Sequence, residues 1–335
     1  MDFSPQQRFH EDWGHLRDPH VRALAWLLTS PHLLKQDSQV WGGAIVAPSL
    51  PSASLLHVYL TSLDLTPGHF HLALQRSPTK RLGLYAEMLL AFFFADFYDL
   101  YAHGLQIHDA RARTIGEFDF LIRHLDGLVH WELATKFYLF FDETLECGSA
   151  KRDLYHYLGP NLADTLGAKM HKIIYQQLRL SAHPEAAAAL DQQVISAQAL
   201  IKGWLFYRNP CVTDSSALVD GVAMDHCRGY IWSMSDLDQM GDFLAVILDR
   251  LMWLAPAQVP EQEAIGKQVV LQKIRELFSL VNAPVMLVLV VVHDGDAREI
   301  MRGMVVPDGW WAQAALAQKR LAPAMSPQLS RATLT

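Results

Sequence analysis

Two apolar segments joined by Leu125-Asp126-Gly127-Leu128 constrain this chain more than any other stretch. The first reads Gly116-Glu-Phe-Asp119-Phe-Leu-Ile-Arg, the second His130-Trp-Glu132-Leu-Ala-Thr-Lys136-Phe-Tyr-Leu. Both are rich in β-branched and aromatic residues, and Asp-Gly between two such runs signals a hairpin. Side chains alternate across a strand, so Glu117, Asp119 and Leu121 are expected on one face of the first. His130, Glu132, Ala134 and Lys136 are expected to share a face of the second. A solvated hairpin scatters its charges at the strand ends. Here an acid and a lysine stand in mid-strand, and a buried carboxylate is costly unless something pairs with it.

Two carboxylates from adjacent strands and a third from a helix make a hard-oxygen set suited to Mg²⁺ or Mn²⁺. The third is Glu87, within Arg81-Leu-Gly-Leu-Tyr-Ala-Glu87-Met-Leu-Leu-Ala-Phe-Phe-Phe-Ala. A helix apolar nearly all round is a buried one. A lysine beside such a site orients a water or stabilises the charge that develops on a phosphoryl group. The plainer reading pairs Glu87 with Arg81 or Arg113 and ties Lys136 to the strand acids. Glu117 is a further acid on the face of Asp119.

A buried helix bearing Glu, a strand bearing Asp, and a strand bearing Glu and Lys together resemble the PD-(D/E)XK nuclease-like superfamily. More narrowly, Gly116-Glu-Phe-Asp119, Trp131-Glu132-Leu-Ala-Thr-Lys136-Phe-Tyr-Leu, Gly159-Pro-Asn and Gly203-Trp-Leu-Phe-Tyr resemble the bacterial DUF1853 family over most of the chain. The superfamily resemblance implies Mg²⁺- or Mn²⁺-dependent hydrolysis of phosphodiester bonds in nucleic acid, DNA before RNA. It implies that Asp119, Glu132 and the carbonyl of Leu133 hold the ion, that Glu87 completes the site, and that Lys136 positions water. The superfamily usually places its lysine two residues after the glutamate, where this chain has Ala134. Lys136 sits one pleat farther, roughly 7 Å along the strand. The rival reading is an inactive nuclease-like module that binds nucleic acid or a protein.

At 335 residues, half of them hydrophobic, the chain can bury a large core. Residues 1–79 read as a helical extension, with Asp18-Pro19 between two short helices and an irregular, Pro-marked stretch over 38–79 that allows a helix around Leu55–Leu63. Over 80–209 the periodicity gives a helix at 80–101, a strand at 105–109, the hairpin at 115–141, a helix at 160–179 and a strand at 198–207. That is the αβββαβ order of a restriction-endonuclease-like core, and the chain is expected to be α+β. Residues 210–320 read as a mixed α/β region with helices at 235–254 and 260–281 and a β-ribbon over 285–306. Residues 321–335 read as a flexible tail.

Lys169, Lys172 and Gln176 recur on one stripe of the helix at 160–179; a polar stripe is ordinarily a wet face, but beside a site it would touch phosphates. His69-Phe-His71 offers two metal ligands on an extended segment and reads as packing. His130 reads as a core-edge histidine, and His226-Cys-Arg-Gly-Tyr-Ile-Trp232 as a core strand. Cys147, Cys211 and Cys227 form no CxxC, which fits a reducing cytoplasm and argues against structural zinc. The first residues show no basic segment followed by an apolar one, so no signal peptide is expected. The run Val285-Met-Leu-Val-Leu-Val-Val-Val292 is too short to span a bilayer. A net charge of −7 disfavours strong non-specific DNA binding. No Gly-rich phosphate loop and no GxSxG is present.

Overall fold

The computed structural model describes residues 4–142, 152–208 and 219–321. Cys147, Cys211, the boundary at 209–210 and the tail beyond Leu321 lie outside the described residues. Helices α1 (Pro5–Trp13) and α2 (Pro19–Thr29) flank Asp18, whose carboxylate caps α2 by accepting from the His20 and Val21 N–H groups. The helix allowed around Leu55–Leu63 is α3 (Ala53–Leu65), and the stretch is more regular than its prolines suggest in adding α4 (Gly68–Gln75). His69 and His71 therefore sit on a helix, where His71 Nε2 bonds Asp18 at 2.6 Å and the His69 ring lies against Phe92.

The helix, strand and hairpin expected over 80–141 are α5 (Leu82–Phe97), β1 (Leu100–His108), β2 (Thr114–His124) and β3 (Gly127–Phe140). A two-residue β4 (Tyr157–Leu158) precedes α6 (Leu166–Tyr175), α7 (Pro184–Ala189) and β5 (Val194–Tyr207). The helix expected from residue 160 starts later because the Thr165 side chain caps it, accepting from Ala168 N.

Beyond residue 219 come β6 (Arg228–Trp232), α8 (Met234–Gln239), β7 (Leu244–Ile247), β8 (Gln258–Pro260) and β9 (Ile265–Gly266). Helix α9 (Lys267–Leu280), β10 (Val285–His293), β11 (Asp296–Val305) and α10 (Trp310–Leu321) complete the chain. The helix expected at 235–254 is thus a short α8 followed by a strand. A brief apolar run such as Leu244-Ala-Val-Ile has no period to separate the two, and its pairing with β10 decides for the strand.

All eleven strands share one mixed sheet, in the order β1-β2-β3-β5-β6-β11-β10-β7-β9, with β4 on β3 and β8 on β11. The C-terminal strands therefore continue the core sheet. Parallel β3 and β5 run side by side from Leu128 to Leu139, and β5 is buried throughout from Ala199 to Tyr207, as befits a strand covered on both faces. One face, including Leu133, Phe137 and Trp204, packs with α5 and α2. The other, including Ala134, Tyr138 and Leu205, packs with α6. Gly203 lies opposite Lys136, where an added Cβ would fall 1.8 Å from the Lys136 carbonyl, so only glycine lets the two strands close here.

His226 is sealed between these layers. Its Nε2 meets the Tyr207 hydroxyl at 2.8 Å and its Nδ1 faces the Ala223 carbonyl, a set that suits the neutral ring. Burial, helped by Arg228, pushes its pKa down to about 3 against the pull of that carbonyl. The unfolded chain takes up a proton below the ordinary value of 6.5 while the native one does not, so stability is full above pH 6.5 and falls as pH drops toward 3. Between pH 7.5 and 5, His226→Gln is expected to lose about 2 kcal/mol less stability than wild type. Urea titrations at the two pH values measure this; equal losses would refute it.

Candidate active site

The hairpin places its acids by coming apart. Pairing between β2 and β3 runs from His124↔Gly127 to Phe120↔Trp131 and stops there. The next rung is replaced by a side chain, since Asp119 Oδ2 accepts the Leu133 N–H at 2.8 Å. Strict alternation also fails at this point: Phe118 packs with Leu121, whereas Phe120 and Ile122 pack into the opposite cluster. Across from Asp119, Gly104 of β1 adopts φ +63°, which a residue with a side chain resists. Of the expected shared face, Glu117 and Asp119 hold together and Leu121 turns away into the Phe118 cluster.

The splayed strands open a cleft of about 740 Å³. Glu87, Glu117, Asp119, Glu132, Leu133, Lys136, Lys169 and Gln177 line it, and Glu87 reaches it from α5. One carboxylate oxygen from each of Glu87, Glu117 and Asp119 lies within 4.8 Å of the others. Glu117, steadied by Gln106 Nε2 at 3.0 Å, thus joins the expected Glu87 and Asp119. Glu132 stands alongside. Its Oε1 accepts from Gln177, and its Oε2 is buried without a hydrogen bond, 3.6 Å from His130 Nε2. Leu133, expected to contribute its carbonyl, contributes the N–H that fixes Asp119.

The electrostatics are those of acids crowded out of water. Burial first, then the charges of Asp119, Glu117 and Glu132, push the Glu87 carboxyl up to about 8, with Arg81 pulling the other way. Burial and Glu132 also raise Asp119, against the Leu133 N–H. Burial raises Glu132, opposed chiefly by Lys169. His130 is fully buried, and burial holds it neutral at about 4. The lysines divide differently from expectation. Lys169 is felt by both Asp119 and Glu132, whereas Lys136 lies among Lys169, Asp164 and Glu132 and is pushed down to about 8, mainly by burial. Lys169 Nζ also donates to Gln177 at 3.1 Å, completing a chain from Lys169 through Gln177 to Glu132.

The rest of the expected stripe faces elsewhere: Lys172 and Gln176 are exposed and outside the cleft. Helix α6 ends at Tyr175, and the tighter turn from Gln177 to Ala182 brings Gln177 inward instead. The cleft also gathers Lys80, Arg81, Asp164, Arg250 and Trp253. Of these, Arg250 and Trp253 were hidden in a segment that reads as helix.

Clustered like charges destabilise the fold they sit in, as functional sites often do. Without divalent cations, Glu132→Gln is expected to leave thermal stability unchanged or raise it by roughly 0.5–2 kcal/mol. A melt showing a loss of 3 kcal/mol or more (the order seen when a buried ion pair loses a partner) would make Glu132 a structural acid.

No helix among the described residues is long and apolar enough to cross a membrane. The family model of DUF1853, a domain of unknown function, matches residues 22–306. No curated protein and no solved structure matches the chain.

Proposed function

Because the chain belongs to the DUF1853 family, whose description assigns no activity, its own cleft must carry the reading, and we propose a metal-dependent nuclease that hydrolyses phosphodiester bonds of nucleic acid, DNA before RNA. The observation that carries it is the convergence of Glu87, Glu117 and Asp119 within 4.8 Å, with Lys169 electrostatically coupled to Asp119. The order α5-β1-β2-β3-α6-β5 supports a core of PD-(D/E)XK type.

The all-carboxylate donor set and the unbonded Oε2 of buried Glu132 fit Mg²⁺ or Mn²⁺. Glu87, Glu117 and Asp119 would hold the ion, which when bound polarises a phosphoryl oxygen and acidifies a water. Asp119 is oriented in advance by the Leu133 N–H. Glu132, with its raised affinity for protons, is placed to take one from an attacking water. Lys169, positioned by Gln177, sets positive charge where a phosphorane would form, and Lys136 adds to that field from β3.

The inactive-module reading requires the lysines to neutralise the acids. Among the described residues neither Lys136 nor Lys169 forms an ion pair within 4.0 Å, which favours the nuclease. Calorimetric titration with Mn²⁺ is the test. Wild type is expected to bind, and Asp119→Ala to bind at least tenfold more weakly. A wild type that takes up no Mn²⁺ would leave the acids as a structural network.

A further inference from the structure

Five consecutive residues of the loop after β7 each give a backbone group to a buried side chain. The Trp253 and Ala255 carbonyls accept from Arg302, the second at 2.8 Å. The Leu254 carbonyl accepts from Trp204 Nε1 at 2.9 Å, and the Pro256 carbonyl from Arg22 at 3.0 Å. The Ala257 N–H donates to Glu299 at 2.8 Å. Arg22, Arg302 and Glu299 are all buried, and taking such charges out of water carries a heavy desolvation cost. What they hold still is the wall of the cleft that bears Arg250 and Trp253.

Trp253 is itself fixed, its Nε1 donating to the Leu248 carbonyl at 3.1 Å and its ring edge-on to Phe137. The exposed Arg250 guanidinium lies over that ring, 5.2 Å from its centre. Among the described residues no carboxylate pairs with Arg250 within 4.0 Å. A stacked guanidinium keeps its N–H fork free and has little rotamer freedom left to lose on binding a dianionic or monoanionic phosphate. Lys80 and Arg81 line the same cleft, but neither is stacked in this way, so they supply field more than position.

We infer that Arg250 is a substrate-binding residue that grips a second phosphate of the same strand, distinct from the one held at Glu87, Glu117 and Asp119. The inference rests on the nuclease reading and gives it a substrate class: a strand carrying at least two phosphates, held at two points. A cleft of about 740 Å³ has room for more than the single phosphate at the acids, and a planar fork matches two phosphate oxygens at once.

The test measures fluorescence anisotropy in Ca²⁺ with two labelled thymidine dinucleotides, one with only its internal phosphate and one with an added terminal phosphate. Wild type should bind the second probe roughly tenfold more tightly, the worth of one charge-assisted contact. Arg250→Gln should cut that gain to within about twofold while still binding Mn²⁺ and melting at the wild-type temperature. An undiminished gain in the variant overturns the role of Arg250, as does loss of its Mn²⁺ binding, which would tie Arg250 to the acids instead. If wild type binds neither probe and cleaves no DNA or RNA with Mn²⁺, the nuclease reading itself fails.

Discussion

Lys169→Ala is expected to lower Mn²⁺-dependent cleavage of DNA by 10²-fold or more while Mn²⁺ still binds, and Lys136→Ala to lower it less. Removing one preorganised group that faces developing charge costs about that much in other sites. The ranking comes from which acids each ammonium faces. Lys169 acts on Asp119 and Glu132 together, and Gln177 holds it beside Glu132. Lys136 shares its influence between Asp164 and Glu132, one pleat beyond Ala134. Arginine at residue 169 should not restore the rate, because a planar fork does not copy a compact ammonium. Single-turnover rates for the three variants decide the matter. Full activity in Lys169→Ala with a dead Lys136→Ala would return the role to β3.

Glu299→Ala is expected to destabilise the protein by about 3–5 kcal/mol, the range for a buried pair that loses one partner. Glu299 accepts from Arg302 Nε at 2.7 Å and Nη2 at 2.8 Å, and both side chains are fully buried. Alanine leaves the guanidinium uncompensated and the Ala257 N–H without its acceptor. Glu299→Leu combined with Arg302→Met removes the stranded charge, yet should recover only part of the loss. The carbonyls of Trp253 and Ala255 would still lack their donor. Urea unfolding of the single and double variants measures both steps; a loss under 1 kcal/mol in Glu299→Ala would contradict this account.

Much of the fold was legible because strong local signals agreed. Asp126-Gly127 set the hairpin, the apolar surround of Glu87 marked α5 as buried, and the largely apolar stretch around Gly203 read as a strand. The site was less legible because it depends on where those regularities fail. Period-two reasoning set Glu117 on the face of Asp119, but the third place beside Glu87 and Asp119 was given to Glu132. The ladder ends at Phe120↔Trp131, and Glu117 joins the cluster beside Glu132. Helical spacing likewise put Gln176 beside Lys169, whereas the change of winding after Tyr175 brings in Gln177. Arg250 and Trp253 gave no signal at all. Their loop is defined by Arg22, Trp204 and the Glu299–Arg302 pair, all remote in sequence from the loop.

The sheet order also dictates a timetable for synthesis. As the chain leaves the ribosome, β5 pairs with β3 and, at Ala199, with the earlier Ala44–Val46, but its Leu205–Tyr207 end waits for β6, and β6 in turn waits for Gly303–Val305 of β11. Until the last of these has been made, an apolar strand edge stands open to any other strand in the cell. A polypeptide halted after residue 208 would end at that open edge, with the acids already made and Arg250 and Trp253 still to come. The edge is closed, and the cleft finished, only when nearly the whole chain has been made.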